Sequence, residues 1–233
     1  ISSAMRWARR SGIAGIMAAT GITRTPGRTA PADPACATNT GQIMQLYYAS
    51  RDGQARKIAT RIAERLAGHG VAAPPVNLAT AQPSPAEIAP AGMVVAVLAV
   101  RYGRHLPEAV EFVKTFALLH RPPPLALASV NLTARKPGKD TAEGSVYLRK
   151  LIAHHRLKPA LATAFAGKLD YPRYSFFDKH IIRFIMLMTG GPTDPTAVVE
   201  YTDWDKVDAF ADGIAETYLA RPDFPTAPNQ PPA

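Results

Sequence analysis

The sequence predicts an α/β fold in which five parallel strands form one doubly wound sheet, in the order 2-1-3-4-5. Three observations support this prediction. Apolar runs alternate with helical repeats from Met44 onward, and strands that alternate with helices form parallel βαβ units. The run MVVAVLAV at 93–100 is apolar throughout, as expected of a strand covered on both faces. A short polar loop containing Gly53 joins the first apolar run to the first helical repeat.

The predicted elements follow one another along the chain. A first strand at 44–49 precedes a helix at 54–66, whose apolar residues recur at helical spacing and which stops at the glycines after it. A second strand at 71–78 is weakened by Pro74 and Pro75, and a proline-broken connection follows at 83–92. The remaining strands are predicted at 93–100, 124–132 and 160–167, and the remaining helices at 107–119, 146–157, 176–188 and 204–219.

The two ends of the chain differ in composition from its centre. Residues 1–43 contain five Arg, the single acid Asp33 and no Lys, and their later part has a disorder-like composition. We predict that residues 1–43 are a disordered or spurious N-terminal extension, with a targeting segment as the alternative. The predicted domain spans 44–220, and a proline-rich tail occupies 221–233.

Charge and cysteine content limit the possible partners. The formal net charge of +9 over 233 residues favours an anionic partner, such as a phosphate, nucleic acid, acidic lipid or polycarboxylate. Cys36 is the only cysteine, so a disulfide framework or a cysteine metal site within one chain is excluded. The adjacent pair His154 and His155 would point to different faces of a helix, which argues against a shared metal. We therefore predict no metal site.

The first strand-to-helix loop is the best candidate binding site. In a doubly wound sheet this loop lies at the switch point of strand order, and the free N–H groups of the helix N-terminus favour an anion. Gly53 permits close backbone approach, and Ser50 and Gln54 add side-chain donors. The alternative is an ordinary turn in which Asp52 caps the helix. Neither the G-x-G-x-x-G nor the P-loop pattern is present.

Five blocks resemble one known family. They are SRDGQARKIA (50–59), VRYGRH (100–105), SVNLTARKPGK (129–139), YPRYSFFDKHIIRFIMLMTGGPTD (171–194) and VVEYTDWDKV (198–207). In this order they resemble the menaquinone-dependent protoporphyrinogen oxidases, which are flavodoxin-like FMN enzymes of haem biosynthesis. The resemblance covers about 44–215 and implies a flavodoxin-like sheet with a basic insertion after the fourth strand.

The resemblance implies an FMN site built from three loops. The first holds the phosphate, and the loops after the third and fourth strands flank the ring system. A surface Arg101 and Tyr102, and an Asn131 that serves only the turn, remain alternatives. Hydroxyls usual in such loops are absent at Ala49 and Ala55, which predicts weaker FMN binding. The implied cofactor residues are Ser50, Arg51, Asp52, Gly53, Gln54, Ala55, Arg101, Tyr102, Ser129, Val130, Asn131 and Leu132.

The implied reaction is the oxidation of protoporphyrinogen IX to protoporphyrin IX. Hydride equivalents pass to FMN N5 and a menaquinone reoxidises the flavin, so no protein side chain is assigned as the catalytic group. Arg135, Lys136 and Arg173 are candidates for binding the two propionates of the substrate, because Arg suits carboxylates. The alternative is that these cations are solvated or face anionic lipid.

The apolar helix at 176–188 is too short to span a bilayer, and it either packs on the sheet or lies on a lipid surface. The resemblance implies a peripheral position on the cytoplasmic side of the inner (cell) membrane, contact with the quinone pool, and no nucleic-acid partner. Alternatives are a flavodoxin-type electron carrier, a flavodoxin-like NAD(P)H:quinone reductase and an FMN-free interaction module. The positive charge argues against the carrier, because carriers of that family are usually acidic.

Overall fold

A computed structural model describes residues 43–173, 176–189, 194 and 196–221, with the side chains at 173, 176–178, 185, 186, 188 and 189 left aside. The predicted extension 1–43 lies outside this part except for Ile43, as does most of the predicted tail 221–233. The domain boundaries therefore stay predictions.

The described residues form eight strands and six α-helices. The strands are β1 (Met44–Ala49), β2 (Pro75–Asn77), β3 (Met93–Arg101), β4 (Arg104–His105), β5 (Leu125–Asn131), β6 (Leu161–Ala166), β7 (Lys168–Asp170) and β8 (Val198–Glu200). The helices are α1 (Gln54–Gly68), α2 (Pro85–Ile88), α3 (Pro107–Ala117), α4 (Val146–His155), α5 (Phe176–Thr189) and α6 (Trp204–Leu219). Two 3₁₀ turns follow β5 and β7, at Leu132–Arg135 and Tyr171–Arg173.

The main sheet confirms the predicted α/β fold. Its order is β2-β1-β3-β5-β6 with all four pairings parallel, and the short β4 pairs antiparallel with β3. Counting the parallel strands alone, this is the order 2-1-3-4-5. Strands β7 and β8 pair antiparallel in a separate two-stranded sheet.

Helices cover both faces of the main sheet. Alternate residues of β1 belong to different hydrophobic clusters: Leu46 packs with α1 and α6, whereas Tyr47 packs with α3 and α4. This follows from the two-residue period of a strand, which sends neighbouring side chains to opposite faces. The central strands β3 and β5 are buried over nearly their whole length, which explains their continuous apolar runs.

Several elements differ from the sequence predictions. The second strand was predicted at 71–78, but only Pro75–Asn77 pairs with β1, because prolines supply no ladder donor. The connection predicted at 83–92 contains α2, where the Ser84 and Glu87 side chains form a capping box. Strands β4, β7 and β8 were not predicted, since two- and three-residue strands leave no periodic signal.

Ion pairs join α1 to α6 on the surface. Arg61 contacts Asp208 through two hydrogen bonds of 2.7 and 2.6 Å, and Arg65 contacts Asp212 through two of 2.7 and 2.8 Å. His69 Nε2 lies 2.7 Å from Asp212 Oδ1. Hydrogen bonds from Arg65 and His69 hold the pKa of Asp212 well below its usual range. These contacts fix the helix pair that covers one face of the sheet.

Candidate functional site

A cleft that is partly open to solvent lies at the carboxyl ends of β1, β3 and β5. This is the switch point where doubly wound sheets bind ligands. The cleft brings together every predicted cofactor residue except Gly53 and Ser129. The predicted residues that line it are Ser50, Arg51, Asp52, Gln54, Ala55, Arg101, Tyr102, Val130, Asn131 and Leu132.

The loop after β1 presents a helix N-terminus to the cleft. Gly53 adopts φ 91°, and its N–H donates to Ser50 Oγ at 3.1 Å, which closes the turn. The backbone N–H groups of Gln54 and Ala55 belong to the first turn of α1, where a helix offers no internal acceptor. The first turn contains no acidic residue. The loop therefore has the polarity of an anion site.

Asp52 does not cap α1, so the alternative of an Asp52-capped turn is wrong. The N-cap is Gly53, without a side-chain cap bond. The Asp52 carboxylate instead accepts from Arg101 Nη1, with distances of 2.8 Å to Oδ1 and 3.0 Å to Oδ2. This pair neutralises the one carboxylate of the loop and links the loops after β1 and β3 across the cleft.

Gln54 differs from the prediction. Its side-chain amide was expected to donate to a ligand, but Nε2 donates to Glu200 Oε1 at 3.0 Å and to Thr202 Oγ1 at 2.8 Å. The side chain thereby ties the loop to the segment before α6. Only the backbone N–H of Gln54 remains for the cleft. The partners lie about 146 positions away in the chain, so local sequence gives no signal of this contact.

The loop after β3 carries two consecutive left-handed residues, Tyr102 (φ 50°) and Gly103 (φ 75°). A tyrosine in this conformation is unusual and holds its ring out of the sheet, where 44% of the residue is exposed. The Arg101 guanidinium lies 5.1 Å from the centre of that ring. Burial opposes the charge of Arg101, but hydrogen bonds to Tyr102 and Asp52 and the carboxylate's charge raise its pKa above the ordinary value. The exposed ring is placed to stack on a planar ligand.

The end of β5 holds a buried polar turn. Asn131 Oδ1 accepts from Ala134 N–H at 3.0 Å and from Thr133 Oγ1 at 2.5 Å, so Asn131 caps the 3₁₀ turn while also lining the cleft. Ser129 was predicted to contact the cofactor. Its side chain is fully buried within β5 beneath the cleft, so a contact from this position would come from its backbone, and the assignment of Ser129 stays a prediction.

Two of the three predicted propionate ligands, Arg135 and Lys136, do not line the cleft. Arg135 donates through Nη1 to the Leu132 carbonyl at 2.7 Å, and its guanidinium lies 5.6 Å from the centre of the Tyr201 ring. Lys136 is exposed beyond it. The side chain of Arg173 lies outside the described residues. Arg135 and Lys136 therefore follow the rim residues Leu132 and Thr133 rather than the cleft wall.

Sequence reasoning missed several cleft residues. Tyr147 comes from the first turn of α4 and lies 3.9 Å from the Cβ position that Gly103 lacks. Lys168 begins β7 and pairs with Asp170 at 2.9 Å. Their distance in sequence from the three predicted loops left no local signal. The lining residues not assigned as cofactor ligands are Ala99, Val100, Gly103, Thr133, Tyr147, Gly167, Lys168 and Ile182.

The chemistry of the cleft fits a flavin mononucleotide. Among the described residues that line it, the charged ones are Arg51, Arg101, Lys168 and Asp52; Arg101 pairs with Asp52 and Lys168 with Asp170, which leaves the charge of Arg51 in excess. Added to the helix N-terminus, this balance suits a phosphate. The largely apolar interior and the Tyr102 ring suit a planar ring system. Within the ranges described by the structure, no three His, Cys, Asp or Glu side chains cluster as metal ligands, and no helix is long and apolar enough to cross a membrane.

Comparison with known proteins places this cleft in a family context. The family described as "Flavodoxin domain" matches residues 45–196. Protoporphyrinogen IX dehydrogenase (quinone) of Escherichia coli K12 is 38% identical over 170 residues, which is 73% of this chain and 93% of that protein. The protein of the same name from Leishmania major is 45% identical over 128 residues, 55% of each chain. The structure of rubredoxin oxygen:oxidoreductase from Desulfovibrio gigas is 15% identical, with a TM-score of 0.47, over 77% of this chain and 37% of that one.

Proposed function

The chain belongs to the flavodoxin-domain family of oxidoreductases, among the protoporphyrinogen IX dehydrogenases (quinone), and we propose that it uses FMN to oxidise protoporphyrinogen IX with menaquinone as the acceptor. The product is protoporphyrin IX, so the step belongs to haem biosynthesis. The observation that supports this most is the switch-point cleft, which combines a helix N-terminus, an exposed tyrosine ring and an excess of positive charge.

FMN would supply the hydride acceptor, at its N5 atom. Conversion of the substrate to the aromatic porphyrin removes six hydrogens, and three molecules of quinone take them up as three of quinol. The chain's own part is to bind and orient. The N–H groups of Gln54 and Ala55, with Ser50 and Arg51, would hold the phosphate. Tyr102 would flank the ring system from the β3 side.

The propionates of the substrate require cations at the cleft rim. We assign them to the basic segment that begins at Arg135 and Lys136, because it directly follows the rim residues Leu132 and Thr133. Arg135→Gln is expected to raise KM for the porphyrinogen about tenfold with kcat retained, the cost of one charge-assisted contact. The exposed Arg121, away from the cleft, provides the control as Arg121→Gln. Equal KM values for the two variants would contradict this assignment.

Helix α5 carries an exposed apolar surface with basic neighbours. Ile181, Phe184 and Leu187 are 47%, 62% and 70% exposed, and the exposed His180 and Arg183 lie among them on the same side of the helix. A helix with this combination binds anionic lipid surfaces, because apolar side chains insert while cations meet headgroups. We propose that α5 lies on the cytoplasmic face of the inner (cell) membrane.

The opposite side of α5 connects this surface to the cleft. Ile182 is buried against Leu169 and Tyr171 and also lines the cleft. A membrane-bound α5 would therefore set the cleft beside the bilayer, where a quinone with a long apolar tail is dissolved.

Vesicle flotation tests the lipid contact. The full chain is expected to float with vesicles that contain an anionic phospholipid, and Phe184→Asp with Leu187→Asp is expected to abolish flotation. Leu118→Asp is the control, because Leu118 is 79% exposed at the end of α3. Loss of flotation in the control as well, or its persistence in the α5 double variant, would contradict the proposal.

Anaerobic turnover tests the reaction itself. The full chain reconstituted with FMN is mixed with protoporphyrinogen IX and a menaquinone analogue, and porphyrin fluorescence is recorded. Growth of fluorescence that requires both protein and quinone is expected. A flavin-loaded protein that is inert to porphyrinogen but accepts electrons from NADPH or from a reductase would instead indicate a quinone reductase or an electron carrier.

A further inference from the structure

A buried chain of hydrogen bonds runs beneath the cleft, from the β5 turn to the short strand β4. His105 Nε2 lies 3.1 Å from Ser129 Oγ, and Asn131 Nδ2 donates to the same Oγ at 3.5 Å. At its other end, Asn131 Oδ1 accepts from Thr133 and Ala134. Ser129 is fully buried and Asn131 is 4% exposed, so the two central side chains are shielded from water, whereas His105 and Thr133 at the ends are half-buried.

In one arrangement, every donor along this series of hydrogen bonds faces an acceptor. The two bonds to Asn131 Oδ1 fix which end of the amide is the oxygen, and so turn Nδ2 toward Ser129. Ser129 Oγ accepts from Nδ2, and the arrangement that also uses its own proton directs that proton to His105 Nε2. That nitrogen accepts only when the imidazole is neutral with its proton on Nδ1. A protonated His105, or the tautomer with its proton on Nε2, would instead donate to Ser129 Oγ and direct the serine proton elsewhere.

The environment of His105 keeps the ring in this form. Burial lowers the pKa of His105 to about 4, so the ring is neutral at physiological pH. The short antiparallel pairing of β4 with β3 sets Val100 opposite His105 and fixes the backbone that carries the ring. His105 is therefore held in place by a strand neither of whose two residues lines the cleft.

We propose that His105, acting through Ser129, is a positioning residue that orients the Asn131 amide so that its second N–H serves the bound flavin ring. This inference rests on the proposed FMN function. Asn131 lines the cleft, and an amide nitrogen carries two N–H groups, of which Ser129 takes one. Without the acceptor at position 105, the Ser129 hydroxyl is free to turn and the Asn131 amide loses its fixed orientation.

Four variants of the full chain test the proposal. His105→Leu removes the acceptor, and His105→Gln retains one at a similar distance. Ser129→Ala removes the hydroxyl between His105 and Asn131. Leu106→Val alters the packing beside His105 and leaves these hydrogen bonds in place. FMN titration is expected to show a Kd raised about 3- to 10-fold in His105→Leu and in Ser129→Ala, the effect of one hydrogen bond. His105→Gln and Leu106→Val are expected to stay within about twofold of wild type.

Two further measurements separate positioning from a general loss of stability. The flavin reduction potential is expected to become more negative in His105→Leu and not in Leu106→Val, because a donor to the reduced ring is lost. In an Asn131→Ala background, His105→Leu is expected to raise Kd by less than a further twofold, since both substitutions interrupt the same series of hydrogen bonds. Additive effects, or an unchanged Kd and potential in His105→Leu, would overturn the proposal.

The hydrogen bonds between His105, Ser129 and Asn131 can also be tested in the protein without flavin. In the apo protein, ¹⁵N NMR of the His105 ring is expected to show an unprotonated Nε2 at pH 7, and His105→Leu is expected to shift the Asn131 side-chain amide signals. A protonated Nε2, or unshifted amide signals, would overturn the inference. If the wild-type protein shows these NMR signatures but takes up no FMN, the proposed function is contradicted instead. His105 would then serve only to order the turn at the end of β5.

Discussion

Replacing Gly53 by alanine isolates the backbone requirement of the first loop. Gly53 has φ 91°, and a Cβ added there meets no atom within 4 Å. The substitution therefore causes no clash, and its cost is the left-handed conformation alone, about 1–2 kcal/mol for an L-residue. For a domain of this size the melting temperature is expected to fall by roughly 2–8 °C.

Gly68 provides a matched control at the other end of the same helix. It is the last residue of α1, has no positive φ, and also has no atom within 4 Å of an added Cβ. Gly68→Ala is expected to raise stability by up to about 1 kcal/mol, because alanine restricts the unfolded chain. The measurements are thermal denaturation and FMN titration of both variants.

The two variants are expected to differ in sign. Gly53→Ala lowers the melting temperature and raises Kd for FMN, because a loop that relaxes out of the left-handed conformation no longer holds the following N–H groups in place. Gly68→Ala raises the melting temperature and leaves Kd unchanged. If both variants behave alike, the left-handed turn is not what positions the anion site, and the reasoning about Gly53 fails.

Three more predictions concern charge, hydroxyls and pH. Arg101→Gln leaves the Asp52 carboxylate unpaired in the cleft, so FMN titration is expected to show about tenfold weaker binding. Arg104 is exposed, and Arg104→Gln is expected to leave the FMN affinity unchanged; equal effects of the two variants would contradict the role of the Arg101–Asp52 pair. Ala49 and Ala55 are both buried, but only Ala55 lines the cleft, so Ala55→Ser is expected to tighten FMN about tenfold and Ala49→Ser to leave its affinity unchanged; a gain in both variants would point to another cause. Asp212→Asn is expected to lower the melting temperature at pH 7. Because the folded pKa of Asp212 is depressed, its contribution is fully present above the unfolded value of about 3.9 and is lost only as the pH falls from there through the folded pKa. The difference in melting temperature between the variant and the wild type should therefore hold from about pH 7 to about pH 5 and narrow below about pH 4, and a difference that stays constant down to about pH 2 would contradict the ion pair.

Long-period signals made most of the fold predictable. The apolar run that became β3 and the helical repeat that became α1 each depend on many residues, so single exceptions do not hide them. The predicted length of β2 was wrong because two prolines leave too few N–H donors for a longer hydrogen-bonded ladder. The helix α2 had a usable signal, since Ser84 and Glu87 stand at capping-box spacing.

The site was predictable where it depends on topology and less so where it depends on long-range contacts. The loops after β1, β3 and β5 meet because parallel strands end at one edge of the sheet. The side-chain partners of Asp52 and Gln54 lie far away in sequence, so local patterns could not predict the Arg101 pair or the role of Gln54. The burial of the Ser129 side chain has no local signal either, and Lys168 belongs to a strand too short to predict.

Calorimetric titration of the full apo chain with FMN and with riboflavin tests the central claim most directly, because the two ligands differ only in the phosphate. Two charge-assisted bonds from backbone N–H groups are worth about 3 kcal/mol or more, so FMN is expected to bind at one site at least roughly 100-fold more tightly than riboflavin. Equal affinity for the two ligands, or no uptake of either, would contradict a phosphate site at the start of α1.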